Sequence, residues 1–133
     1  DEYSEPLHKQ KEHTDVDFNA GTKACLANID HVNFCIGTHN EQSCQLLIEE
    51  MAKQNIAKNH PHIYFAQLLG MSDNISYNLA ASGYNVAKYV PYGPVEAVMP
   101  YLFRRAEENS SIAGQTSREF TLLLNEVKRR KNA

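Results

Sequence analysis

His62-Ile63-Tyr64-Phe65-Ala66-Gln67-Leu68-Leu69, closed by Gly70 and followed by Met71-Ser72-Asp73-Asn74-Ile75-Ser76-Tyr77-Asn78-Leu79, decides the reading of the fold. The first eight residues are rich in Ile, Tyr, Phe and Leu and stop at a glycine, as a buried strand does. Ser72 or Asp73 then caps a short helix through Ile75 and Leu79, and Gly83 stands where a helix places its C′ residue. One strand feeding one helix is half of a parallel crossover, so the flanks decide whether the unit repeats.

It repeats on both sides. Upstream, Val32–Ile36 alternates as a strand ending at Gly37. Asn40 then offers an N-cap to a helix with Cys44, Leu47, Ile48 and Met51 on one face, ending near Asn55. Downstream, Asn85–Val90 is a third strand running into Pro91-Tyr92-Gly93-Pro94, and Pro94 suits the first position of a helix. Val95, Val98, Met99, Leu102, Phe103 and Ala106 form the broad apolar face of that helix, with Pro100 inside it either kinking or restarting it. Thr116-Ser117-Arg118-Glu119 is a capping box before a tail helix carrying Phe120, Leu123, Leu124 and Val127 and ending in Lys128-Arg129-Arg130-Lys131. Residues 1 to about 22 are polar and lack a period, and read as a loop before a short helix near Thr22–Asn28 carrying Cys25, Leu26 and Ile29.

The order β-α-β-α-β-α with a tail helix predicts an α/β fold with parallel strands and right-handed crossovers. Three parallel strands cover themselves poorly, because such sheets need helices on both faces. Two architectures remain, a small three-layer sandwich or the end of a (β/α)8 barrel. A barrel takes about 250 residues, and the chain has 133, roughly half of that.

Composition narrows the classes. With 42% hydrophobic and 22% charged residues the chain is globular. A net charge of -3 gives no electrostatic basis for nucleic-acid binding. No apolar run approaches the roughly 20 residues of a spanning helix. Cys25, Cys35 and Cys44 have no paired short spacing, and the six histidines form no HExxH pair, so neither a disulfide framework nor a metal site is expected. The thiols fit a reducing compartment.

Parallel α/β folds bind ligands at the carboxyl ends of their strands. Those ends read Gly37-Thr38-His39-Asn40, Gln67-Leu68-Leu69-Gly70-Met71 and Tyr89-Val90-Pro91-Tyr92-Gly93. Thr38 and Asn40 either cap the following helix or face a ligand, and His39 is either a satisfied imidazole or part of a site. The glycines match neither GxGxxG nor a P-loop. On the helix after the third strand, Tyr101, Arg104, Arg105 and Glu108 fall at i, i+3, i+4 and i+7. Adjacent guanidinium forks can clamp a small carboxylate; equally, Arg-Arg-Ala-Glu-Glu can be a solvated face with i,i+4 ion pairs. The basic end at Lys128–Lys131 complements the helix dipole, with weak contact to an anionic membrane surface as the alternative.

Three motifs, Tyr64–Asp73, Lys88–Pro94 and Pro100–Asn109, with Ile36-Gly37-Thr38-His39-Asn40 preceding them, closely resemble the carboxyl-terminal part of the proline dehydrogenases, from roughly Val32 to Gly114. The resemblance implies a distorted (β/α)8, TIM-type barrel holding FAD, which oxidises L-proline to Δ1-pyrroline-5-carboxylate and passes electrons to a quinone. The strands would be the last three of that barrel, incomplete on its own, with a polar lead-in over 1–30, the barrel part over 31–113 and the tail helix over 114–133. It assigns Arg104 and Arg105 to the proline carboxylate, Tyr89 and Tyr101 to the proline ring, Thr38, His39 and Asn40 to FAD, and Glu108 to supporting the arginine pair. The bulk of Tyr89 would favour proline over trans-4-hydroxyproline.

The family's remaining substrate and flavin residues come from earlier strands. No catalytic residue is therefore assigned to this chain, and the expectation is that alone it neither closes a barrel nor turns over proline. Its start at Asp1 reads as a cut through a larger enzyme whose upstream half completes the barrel. The alternatives are a hydroxyproline dehydrogenase and an inactive fragment that only binds or self-associates. Quinone reduction implies peripheral contact with the cytoplasmic side of a bacterial membrane, or with the mitochondrial inner membrane.

Overall fold

The first described element is a helix over residues 11–27, part of which had been expected as a loop. The computed structural model describes residues 8, 10–111 and 113–132, with the backbone alone over 106–119. Its elements are α1 (Lys11–Ala27), β1 (Phe34–Gly37), α2 (Glu41–Lys53), β2 (Ile63–Leu68), α3 (Asp73–Ala81), β3 (Val86–Tyr89), α4 (Val95–Ser111) and α5 (Ala113–Lys131). The chain divides into two compact units, Asp1–Tyr89 and Val90–Ala133.

In the first unit the three strands form one parallel sheet in the order β1-β2-β3. Each strand lies beside its neighbour in sequence, the simplest outcome of successive β-α crossovers. Alternation along the strands sorts the side chains. Phe34 and Ile36, Ile63, Phe65 and Gln67, and Val86 and Lys88 face the more buried side. Cys35, Tyr64, Ala66, Leu68, Ala87 and Tyr89 project to the other face, where Tyr64 keeps 44% and Tyr89 52% of its surface exposed.

The core lies on the first of these faces. Ile36, Ile63 and Phe65 from the sheet meet Cys44, Leu47 and Met51 of α2, Ile75 and Leu79 of α3 and Leu26 of α1. Those α2 positions follow the 3.6-residue period read from the sequence. Phe65 and Tyr84 meet edge to face with centroids 5.5 Å apart. Asn85 ties the entry to β3, its side-chain amide donating to the carbonyls of His60 (2.8 Å) and Ile63 (3.1 Å). Gly83 leaves α3 at φ 90, a left-handed conformation that costs glycine little.

Over residues 11–22 the expected loop is corrected to α1, a helix of 17 residues that runs on through most of the short helix expected near Thr22–Asn28; the expected loop over 1–7 and at 9 lies outside the described residues. Its less exposed stripe is Asp15, Asn19, Thr22 and Leu26, three of them polar. Thr22 fits because its hydroxyl donates back to the Phe18 carbonyl at 2.9 Å. A search for apolar spacing passes over such a face.

In the second unit α4 runs through Pro100 as one helix, so restarting there is excluded. Pro94 lies one residue before α4, and its carbonyl accepts from the N–H groups of Ala97 and Val98, both at 3.0 Å. It therefore closes the first turn from outside the helix. The start of the tail helix is also corrected: α5 begins at Ala113, which puts the Thr116–Glu119 box inside it. A T-x-x-E spacing marks nearness to a helix start and not the start itself, and the three residues in front of it, Ala113-Gly114-Gln115, are helical as well. Among the described residues no helix is long and apolar enough to cross a membrane.

Candidate functional site at the carboxyl edge of the sheet

The strand β1 ends at Gly37, and the next three residues already carry local structure. Asn40 caps α2, its Oδ1 accepting from the Gln42 N–H at 2.9 Å. The Thr38 hydroxyl accepts from the Asn40 N–H at 3.0 Å. The capping role is therefore real for Asn40, while Thr38 closes a local turn in front of the cap. His39 is not a solitary surface imidazole, since its Nδ1 lies 2.8 Å from the hydroxyl of Ser72 at the start of α3. From α1, Asp15 reaches the same edge. A hydrogen bond from Lys11 holds its carboxyl below the usual range, and a weaker one from Asn40 adds to this.

Beneath these residues lies a polar network. Gln67, buried in β2, donates from Nε2 to the Thr38 carbonyl at 3.2 Å and accepts from the Ser76 hydroxyl at 2.8 Å. Ser76, also buried, lies 3.3 Å from the Ser72 carbonyl. Lys88 of β3 points to the same side of the sheet as Gln67. Its ammonium donates to the Met71 carbonyl at 2.7 Å and the Leu68 carbonyl at 3.4 Å, and pairs with Asp73 at 2.8 Å. The turn between β2 and α3 is tight: Gly70 has φ 79, and Ser72 sits in the left-handed region at φ 50, ψ 41. A non-glycine residue there costs on the order of 1–2 kcal/mol, which the hydrogen bonds around it offset.

None of Gln67, Ser72, Asp73, Ser76 or Lys88 was singled out as a site residue from sequence. A signal existed in two of them. Gln67 interrupts an apolar strand at a position whose i−2 and i−4 neighbours, Phe65 and Ile63, are core residues, and Lys88 occupies the corresponding face of β3.

Tyr89 belongs to the opposite face. It pairs in register with Leu68, is half exposed, and is turned away from the polar network. In the second unit Arg105 and Tyr101 are brought together, the guanidinium carbon 5.2 Å from the ring centroid. Such stacking orients a guanidinium without consuming its in-plane donors. Arg104 is exposed one position earlier on α4. The side chain of Glu108 lies outside the described residues. At the end of α5 two residues of the basic run, Arg129 and Arg130, are ion-paired within the helix. Glu126 lies 2.7 Å from Arg129 and 2.8 Å from Arg130, and these hydrogen bonds hold its carboxyl down at about 2.

The cysteines are free thiols. Burial, with a smaller push from Glu41, raises Cys44 to about 11, so it is a neutral core group at physiological pH.

The chain matches the family model described as proline dehydrogenase over residues 1–118. That span includes the first thirty residues, upstream of the Val32–Gly114 stretch that carries the resemblance in the sequence. It is 39% identical to human "Proline dehydrogenase 1, mitochondrial" over 96% of the chain and 22% of that relative. It is 36% identical to the Drosophila melanogaster protein of the same name, over 96% of the chain and 20% of the relative. It is 37% identical to Xenopus laevis "Hydroxyproline dehydrogenase", over 96% of the chain and 28% of the relative. No solved structure matches. The chain spans between 20% and 28% of the length of these relatives. Its match to the family model covers most of its length, and the chain belongs to the proline dehydrogenase family.

Proposed function

We propose that the chain is the carboxyl-terminal part of an FAD-dependent enzyme that oxidises L-proline to Δ1-pyrroline-5-carboxylate and passes the electrons to a quinone. Membership of the family over residues 1–118 carries this reading. The sheet supports the architecture that goes with it, the last three βα units of a (β/α)8 barrel. The strands are parallel and in sequential order, and the face bearing Tyr64 and Tyr89 has the exposure expected of an inward face. The remaining strands come from elsewhere in the whole protein, and the chain alone neither closes the barrel nor turns over substrate.

The groups present fit the cofactor. A hydroxyl, an imidazole and a carboxamide gather at one strand end, at Thr38, His39 and Asn40, and they suit the polar parts of FAD. Asn40 would offer an amide N–H, since its carbonyl oxygen is used by Gln42 and its amide also reaches Asp15. Bound FAD supplies the two-electron acceptor chemistry. The chain's own residues bind and orient. Arg104 and Arg105 hold the proline carboxylate, each charged hydrogen bond contributing about 1.5–3 kcal/mol net. Stacking on Tyr101 pre-orients Arg105 for that task. Tyr89 and Tyr101 pack on the ring and exclude water, and Glu108 balances the arginine charge. Several relatives are mitochondrial by name, which favours the mitochondrial inner membrane or matrix over a bacterial membrane, with peripheral contact toward the quinone.

The hydroxyproline alternative rests on the Xenopus relative. The phenol of Tyr89 argues against it, because it leaves little room for a 4-hydroxyl. The test uses the full-length protein that contains this chain. It should purify with flavin absorbance that L-proline bleaches, with kcat/KM higher for proline than for trans-4-hydroxyproline. Absence of bound flavin, or flavin that proline does not bleach, refutes the reading, and the reverse preference selects the alternative.

A further inference from the structure

Lys88 makes contacts out of proportion to an ordinary strand lysine. Its side chain is 21% exposed, and its ammonium meets Asp73 and two backbone carbonyls, Met71 and Leu68, within the turn that follows β2. That turn contains two left-handed residues, Gly70 and Ser72. Ser72 in turn meets the Nδ1 of His39 at 2.8 Å. A fixed cation on β3 thus holds a strained turn on β2–α3, and the turn holds a side chain at the end of β1. Carbonyls at a strand end carry partial negative charge, and a Lys with three donors can satisfy several at once. An apolar residue at position 88 would leave those carbonyls and the Asp73 carboxylate without this cation.

We propose that Lys88 is a positioning residue for the flavin site, pinning the β2–α3 turn so that Ser72 sets the imidazole of His39. The proposal rests on the reading that His39 faces FAD, and it adds to that reading the residue that keeps His39 in place. Lys88 touches neither substrate nor cofactor in this scheme. Its effect passes through Ser72, so it should appear in flavin affinity and in the order of the two loops, and not in the carboxylate clamp of α4.

The test compares Lys88→Met, Lys88→Arg, Ser72→Ala and the Lys88→Met/Ser72→Ala double variant in the full-length protein. Hydrogen–deuterium exchange of the apo protein is read over 38–40 and 69–72, with α2 as the internal control. FAD dissociation constants are measured by flavin fluorescence, and KM for proline is measured alongside. Lys88→Met should speed exchange in both segments by about tenfold and weaken FAD binding by about tenfold, with exchange in α2 and KM for proline within about threefold of the parent. Lys88→Arg, which keeps the cation, should restore both to within about threefold. The double variant should lose little more than either single change, because both break one chain of contacts. Unchanged exchange at 38–40 in Lys88→Met overturns the proposal, as does a uniform rise that includes α2 or full additivity in the double variant. Exchange in the apo protein decides the positioning role even where the parent binds no FAD, an outcome that would instead refute the proposed function.

Discussion

Replacing Gln67 with Leu isolates the buried polar link at the carboxyl edge. The side chains are similar in size, so the change removes hydrogen bonds more than volume. Two contacts go: the 3.2 Å bond to the Thr38 carbonyl and the 2.8 Å bond from Ser76. The orphaned carbonyl costs about 1–3 kcal/mol. Ser76 loses less, about 1 kcal/mol, because its hydroxyl still has the Ser72 carbonyl at 3.3 Å. Burying an isobutyl group in place of a carboxamide returns about 1 kcal/mol. The expected net loss is about 1–3 kcal/mol, read from the urea midpoint of the full-length protein at unchanged slope. Gln67→Leu/Ser76→Ala should cost less than the sum of its parts, since removing both partners leaves no hydroxyl seeking an acceptor. A stabilised Gln67→Leu protein, or strict additivity of the two changes, would refute the claim that these bonds hold the edge together.

Arg105→Ala should raise KM for proline by at least about tenfold, the loss of one charged hydrogen bond, with flavin content unchanged; steady-state kinetics and absorbance check this. Tyr89→Ser should shift the ratio of kcat/KM values toward trans-4-hydroxyproline by about tenfold, within the range that a small change in pocket volume supports. Cys44, raised to about 11, should resist maleimide at pH 7–8 in the native protein and react on unfolding, as followed by mass spectrometry. Glu126 is depressed from 4.5 to about 2, so its pairs with Arg129 and Arg130 should be complete above 4.5 and be lost as pH falls toward 2. Carboxyl carbon NMR shifts report that titration.

The alternation of strands and helices was legible because both signals are strong here. Cys44, Leu47 and Met51 keep a helical period, and Ile63 and Phe65 keep a strand period, and all five are core residues. The helix α1 was not legible, because its stripe is polar at Asp15, Asn19 and Thr22: Asp15 pairs with Lys11 and Thr22 bonds back to the Phe18 carbonyl, with no apolar period to read. The site divided in the same way. Thr38, His39 and Asn40, proposed for the flavin, could be picked out from their place at a strand end, and Arg104 and Arg105, proposed for the carboxylate, from being adjacent on the helix after the third strand, where they lie well inside α4. Gln67 and Lys88 could not, because their importance lies in partners across neighbouring strands and turns, which no spacing along one element reveals.

The two faces of the sheet now suggest a division of labour at its carboxyl edge. On the helix side, Gln67, Ser76 and Lys88 are spent on one another, on backbone carbonyls and on Asp73. On the other side, Leu68 and Tyr89 stand in register with the phenol half exposed. A parallel sheet is normally covered on both faces, and here the less covered face carries the tyrosine assigned to the proline ring. On the proposed roles, positioning at Lys88 and contact at Tyr89 are separated by strand alternation alone. Lys88 and Tyr89 are neighbours in sequence and project to opposite faces. A substitution at 88 should disturb how the site is held, and one at 89 should disturb what it accepts. A one-residue slip of β3 against β2 would exchange these roles, putting an ammonium where the ring should pack and a phenol against the turn carbonyls, and would abolish both at once.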